Sequence, residues 1–137
     1  MLLKWVLAVL AVVGGFTASG IAGSIATDAL GFWSLPGAGC CAAFTVVVVA
    51  YISAPDSKFF AACTALVLGA IAAWLIVEPS WYPESYGERG AYQPTHLPLI
   101  TTYIGGIAGL IVVAVHNFGR KPNNSLKSDS AKPSVLG

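Results

Sequence analysis

The sequence predicts an all-α integral membrane protein, an antiparallel bundle of four transmembrane helices followed by a disordered C-terminal tail. The chain of 137 residues is 56% hydrophobic and only 9% charged, and its mean hydropathy is +0.76. Soluble domains carry roughly 25% charged residues, and a soluble protein this apolar would expose large aggregating patches. A bilayer removes that conflict, because lipid then becomes the solvent for the apolar side chains.

Four apolar runs without any Lys, Arg, Asp or Glu supply the spans: 5–27, 35–54, 59–77 and 97–118. Each run has about the ~20 residues that cross ~30 Å of hydrocarbon at ~1.5 Å per residue. Lipid offers the backbone no hydrogen-bond partner, so each run should be a helix, including the β-branched stretch TVVVVAYI. We predict a membrane domain over 1–118, an outer loop over 78–96 and a disordered cytoplasmic tail over 119–137.

The helix boundaries carry start signals. Ser34 and Pro36 suit the first turn of the second helix. Asp56 and Ser57 are expected to cap the third helix, and Pro98 can open the fourth.

The first span has a second interpretation as a cleavable signal peptide. It combines Lys4, an apolar stretch and small residues at Ser24 and Ala26. The uncharged stretch from Trp5 to Thr27 is longer than the roughly 7–15 residues of a signal h-region, which favours a retained helix. Cleavage would leave three spans and would not change the side of the membrane on which the 78–96 loop lies.

The basic residues predict the orientation. In a four-helix alternation only Arg89 falls on one side. The other six Lys and Arg fall on the opposite side: Lys4, Lys58, Arg120, Lys121, Lys127 and Lys132. The positive-inside rule therefore places both termini and the 55–58 turn in the cytoplasm and the 78–96 loop outside. In a bacterial host, the membrane would be the inner membrane.

Small residues spaced by four predict the helix contacts, because close backbone approach holds helices together in lipid. The main candidates are Gly15, Ser19 and Gly23 in the first helix, Ala65, Gly69 and Ala73 in the third, and Gly105 and Gly109 in the fourth. These residues could pack within the chain, between copies in a homo-oligomer, or have no particular role.

Three cysteines raise the hypothesis of a thiol oxidoreductase, but there is no C-x-x-C motif. A hairpin of the second and third helices separates Cys40 from Cys63 by about 15 Å along the helix axis, beyond the ~7 Å that a disulfide tolerates. We interpret Cys40, Cys41 and Cys63 as small packing residues and assign no cofactor.

An energised transporter usually keeps an ionisable residue at bilayer depth, and the four runs contain no acidic or basic side chain. In length and span count the chain resembles the small four-helix multidrug exporters. That family's pattern includes a glutamate within the first span, and run 5–27 has none. The resemblance therefore does not supply a coupling residue.

The 78–96 loop holds the candidate interaction residues Trp81, Tyr82, Glu84, Tyr86, Glu88, Arg89 and His96. Its aromatic rings suit the headgroup region, so the loop could be an interfacial cap. It could also bind a partner protein or lipid, or join Glu84, Glu88 and His96 in a metal or acid–base site. Those three residues match no diagnostic ligand spacing, so we assign no catalytic or metal residue.

The polar tail contains KPNNSLK, which resembles tails of some bacterial mobile-cassette proteins and implies a bacterial host. The chain has no basic stripe for nucleic acid. We predict a small accessory or partner-binding membrane protein without catalysis, whose partners are the bilayer and a membrane protein or a second copy. The alternatives are a transporter or channel component for a neutral or apolar solute, and a membrane enzyme with a Glu/His site in the loop.

Overall fold

A computed structural model describes residues 2–78, 80–81 and 94–119. The regular elements of this part are four helices: α1 (Leu2–Ala29), α2 (Ser34–Ser53), α3 (Lys58–Val77) and α4 (Leu97–Gly119). All four are long and apolar enough to cross a membrane. The predicted all-α, four-span fold class is thereby confirmed, while the predicted disordered tail lies outside the described residues except for Gly119.

Helix α2 is the centre of the fold. It packs against the other three helices, whereas α1 packs only on α2 within the described chain. Helix α3 contacts both α2 and α4. The molecule is therefore a three-helix group, α2–α3–α4, with α1 attached to the outer side of α2.

Glycines allow the backbones of α2 and its neighbours to touch. A Cβ atom placed on Gly23 of α1 would lie 2.8 Å from the Gly37 carbonyl oxygen of α2. On α4, a Cβ at Gly105 would overlap the backbone of Cys40, and one at Gly109 would lie 2.9 Å from the Phe44 carbonyl oxygen. Contacts this close are the main source of helix association in lipid.

The small core lies where α2, α3 and α4 meet. Val47, Ala62 and Val113, one from each helix, are at most 2% exposed. Outside this core, a hydrogen bond of 3.3 Å from the Tyr103 hydroxyl of α4 to the Ala70 carbonyl of α3 joins these two helices. Interhelical bonds of this kind contribute about 0.6 kcal/mol on average.

The helices alternate in direction, so the molecule has two distinct ends. The lysine end contains the starts of α1 and α3, with Lys4 and Lys58 in their first turns, and the ends of α2 and α4. There the Phe59 and Phe118 rings meet edge to face with centroids 5.6 Å apart. The opposite end, the loop end, carries the two stems of the 78–96 loop.

The start of α3 differs from the expected cap. Ser57 occupies the N-cap position, but its φ of 46° and ψ of 48° are left-handed and its side chain makes no capping hydrogen bond. The carbonyl of Ser57 instead accepts the Ala61 N–H at 3.0 Å. The turn between α2 and α3 therefore depends on a backbone conformation that favours glycine.

Replacing Ser57 with glycine is expected to raise the free energy of unfolding by about 1 kcal/mol, because the left-handed conformation costs a residue with a Cβ roughly 1–2 kcal/mol. Denaturant titration in detergent micelles, followed by circular dichroism, measures the change. Ser53→Gly is the matched control, since Ser53 is helical and glycine there should destabilise. Equal effects of the two substitutions would contradict the prediction.

Candidate functional site

The described residues include only part of the predicted interaction loop. Trp81 and His96 are described, and both are exposed. Tyr82, Glu84, Tyr86, Glu88 and Arg89 lie outside the described residues. A site that joins the two glutamates with His96 therefore stays an alternative hypothesis.

The two stems of the 78–96 loop are joined at the loop end. Trp81 and Pro94 form an antiparallel bridge, and the Thr95 N–H donates to the Ser80 carbonyl at 2.9 Å. Ser80 and Thr95 are both buried. The chain thus leaves α3 and returns to α4 through one closed base.

Thr95 also starts α4. Its Oγ1 accepts the backbone N–H of Leu97 at 3.2 Å, which satisfies one of the free donors at the helix start. Together with the hydrogen bond to the Ser80 carbonyl, this contact connects the end of α3 to the start of α4. The two stems therefore form one closed base at the loop end.

Trp81 stands on this base with 57% of its surface exposed. An indole ring has an apolar body and one N–H donor, which suits either the lipid headgroup region or a protein interface. His96 is exposed beside the start of α4. Among the described residues, no group of three His, Cys, Asp or Glu side chains is placed to hold a metal ion.

The predicted packing glycines of α1 and α4 lie against α2. A Cβ at Gly15 would lie 3.3 Å from side-chain atoms of Thr45 and Val49 in α2. Ser19 turns its hydroxyl back to the Gly15 carbonyl at 2.6 Å, as hydroxyls in apolar helices commonly do. Gly23, Gly105 and Gly109 are buried.

The predicted stripe of α3 has a mixed environment. Ala73 is buried and Ala65 is half-buried, but Gly69 is exposed and a Cβ there would meet nothing within 4 Å. Helix α3 enters the core through Ala62 and Leu66 instead. Leu66 also touches α4, since a Cβ at Gly106 would lie 2.7 Å from its Cδ1.

The cysteines of α2 face different neighbours. The Cys40 carbonyl lies against Gly105 of α4, whereas the Cys41 side chain lies against Gly23 of α1. All three cysteines of the chain are free thiols. Cys40 and Cys41 thus lie at helix contacts, as small packing residues do.

A crevice that the sequence did not reveal opens between α1 and α3 at the lysine end. Its volume is about 510 Å³. Trp5, Val9 and Val13 of α1 form one wall, and Phe60, Ala61 and Thr64 of α3 form the other. Ala50 and Ala54 close the back of the crevice. Their four-residue spacing at the end of α2 is the sequence feature that could have indicated a narrow helix surface here.

A smaller depression of about 260 Å³ lies between α2 and α4 and includes Phe44, Thr45 and Ile104 in its lining. The same lining contains Cys40 and Gly105, whose backbones are in close contact. The contact between α2 and α4 is therefore part of the wall of this depression.

Comparison with known proteins adds no family to these observations. Protein-family models, curated proteins and solved structures yield no significant match to the chain. Its functional interpretation therefore depends on the loop stems, the helix contacts and the crevice.

Proposed function

We propose that the chain is a small accessory protein of a bacterial cytoplasmic membrane that binds a partner protein through the 78–96 loop and has no catalysis of its own. The observation that carries the proposal is the backbone contact between α2 and α4. At Gly105 the helices are so close that even a methyl group would overlap Cys40. A solute pathway along this interface would require the helices to separate.

The chemistry of the spans also favours a binding role over energised transport. The apolar runs 5–27, 35–54, 59–77 and 97–118 contain no Asp, Glu, Lys or Arg, and such residues within a membrane span usually mark proton and ion routes. The Tyr51 hydroxyl and His116 Nδ1 are 3.3 Å apart, but this pair lies near the lysine end. It joins α2 to α4 and has no acidic or basic residue deeper in the spans to exchange protons with.

The loop end supports the choice of contact surface. The closed base carries Trp81, and the adjoining sequence adds Tyr82, Tyr86 and Tyr92. Aromatic side chains dominate the binding energy of protein interfaces, because they bury a large area with few rotatable bonds. A closed base with aromatic residues suits recognition of another protein.

The orientation in this proposal follows from the charge distribution. Lys4 and Lys58 share one end of the molecule, and basic residues favour the cytoplasmic side. The 78–96 loop then meets its partner outside the cytoplasm. The KPNNSLK resemblance supports a bacterial host.

Photo-crosslinking in the host membrane tests the proposal. A photoreactive amino acid at position 81 is expected to give a discrete protein adduct larger than a dimer of the chain. Position 74 is the matched control, because Trp74 is also a half-exposed tryptophan near the loop end of α3. We expect lipid adducts from that position.

The Glu84→Gln, Glu88→Gln and His96→Gln variants separate binding from chemistry. If the loop only binds, the adduct from position 81 should persist in each variant. The same protein adduct from positions 74 and 81, or none from position 81, would contradict the proposal. An adduct with twice the mass of the chain would replace the partner with a second copy.

A further inference from the structure

We propose that the crevice between α1 and α3 binds one phospholipid, with an acyl chain along its apolar walls and a phosphoethanolamine headgroup at its mouth. This site lies at the lysine end and is independent of the partner proposed for the loop end.

The depth of the crevice fits one acyl chain. Its α1 wall runs from Trp5 to Val13, which is about 12 Å at ~1.5 Å per residue. One leaflet of a ~30 Å hydrocarbon core is about 15 Å deep. A chain that enters at the lysine end would therefore lie against α1 and α3 for most of its length within that leaflet.

The volume of the crevice argues against a helix as the occupant. The crevice measures about 510 Å³, within the roughly 300–1,000 Å³ of small-molecule sites. A helix about 10 Å wide would need roughly 900 Å³ over the same ~12 Å. The walls at Val9, Val13 and Phe60 are apolar, so an acyl chain matches both the size and the surface.

The mouth of the crevice carries both signs of charge. Its lining includes Trp5, Asp56 and Ser57. Two exposed lysines are sequence neighbours of this lining, since Lys4 precedes Trp5 and Lys58 follows Ser57. Lysine side chains can extend along apolar surface and keep their ammonium groups at the interface. The starts of α1 and α3 add positive dipole ends at the same place.

This charge distribution selects the headgroup. The two lysines complement a phosphate, and the Asp56 carboxylate can accept hydrogen bonds from a primary ammonium. A glycerol headgroup has no cation for Asp56, and a choline headgroup has a cation without N–H donors. A phosphoethanolamine group supplies both the anion and the donor.

Native mass spectrometry of the purified full chain tests the proposal. The probe is an equimolar mixture of ethanolamine, glycerol and choline phospholipids with identical acyl chains. We expect one retained lipid per chain, mostly the ethanolamine form. Ala61→Phe should lower the bound fraction by filling the crevice, whereas Ala72→Phe, at an exposed position of the same helix outside the lining, should not.

Headgroup variants test the mouth. Lys58→Ala should weaken binding of all three lipids about fivefold, which corresponds to about 1 kcal/mol for a lysine near a lipid surface. Asp56→Asn should remove the preference for ethanolamine over glycerol. A preference that survives Asp56→Asn, or equal losses from Ala61→Phe and Ala72→Phe, would overturn the proposal.

A second measurement does not depend on filling the crevice. Trp5 is the only one of the four tryptophans at the lysine end, so phenylalanine at positions 33, 74 and 81 leaves one fluorophore at the mouth. Ethanolamine lipid brominated on its acyl chains should quench Trp5 and saturate at one equivalent, ahead of the glycerol lipid. Quenching that is equal for both lipids would refute the headgroup assignment.

Discussion

Gly105→Ala is expected to lower the free energy of unfolding by about 2–3 kcal/mol, in the range for overpacking a close contact. The added methyl group would overlap the backbone of Cys40 in α2. Backbone atoms cannot rotate away as a side chain can, so α4 must move from α2. Denaturant titration in mixed micelles, followed by helical circular dichroism, measures the loss.

Alanine substitutions at two other glycines provide comparisons for this prediction. Gly69→Ala should leave stability unchanged or slightly higher, because a Cβ there meets open space and alanine is the better helix former. Gly106→Ala should fall between them, since its nearest atom is the flexible end of Leu66. If Gly105→Ala were as stable as Gly69→Ala, α2 and α4 would not pack as described.

A reporter that works only in the cytosol should be inactive when fused at Gly87 and active when fused at Gly137. The physical reason is the charge asymmetry: Arg89 is the only basic residue on the loop side of the predicted alternation, and the positive-inside rule retains the other side in the cytoplasm. The expected difference is all or none.

Two further fusions control for reporter failure. A reporter active only outside the cytosol should show the reverse result at Gly87 and Gly137. A cytosolic reporter inserted at Pro55, in the turn between α2 and α3, should be active. Activity of the cytosolic reporter at both Gly87 and Gly137 would reject the orientation and with it the role proposed for the loop.

The spans could be predicted because one physical requirement outweighs local preference. The run Thr45–Ile52 is rich in β-branched residues that favour strands in water, yet it lies within α2. Lipid leaves each backbone group to find a partner inside its own helix. The absence of charge over each run was therefore sufficient to predict four helices.

The arrangement of the helices could not be predicted in the same way. Gly69 and Gly105 look alike in the sequence, as small residues at four-residue spacing, but one faces open space and the other a backbone. The spacing shows which helix faces carry only small side chains. It does not show which of these faces contact another helix. The choice of which helix faces pack together sets the outer position of α1 and therefore creates the crevice.

The stems of the 78–96 loop and the turn before α3 show a second reason why part of the structure could not be predicted from the sequence. Pairing of Trp81 with Pro94 joins residues that are distant in the sequence and belong to no periodic run. The left-handed Ser57 also lacks a sequence signal, since serine is a common helix cap with ordinary backbone angles. Features set by chain geometry at one position are not visible in hydrophobic periodicity.

Within the part of the chain that the structure describes, α2 is the only helix that α1 contacts, and this has a consequence for biogenesis. Protein chains fold from the N-terminus during synthesis, and the described contacts of α1 with another helix need only the chain up to the end of α2 at Ser53. This hairpin can form while the ribosome is still making α3. The face of α2 that receives Gly105 has no α4 to contact until α4 has been synthesised, so docking of α4 is the last step of assembly.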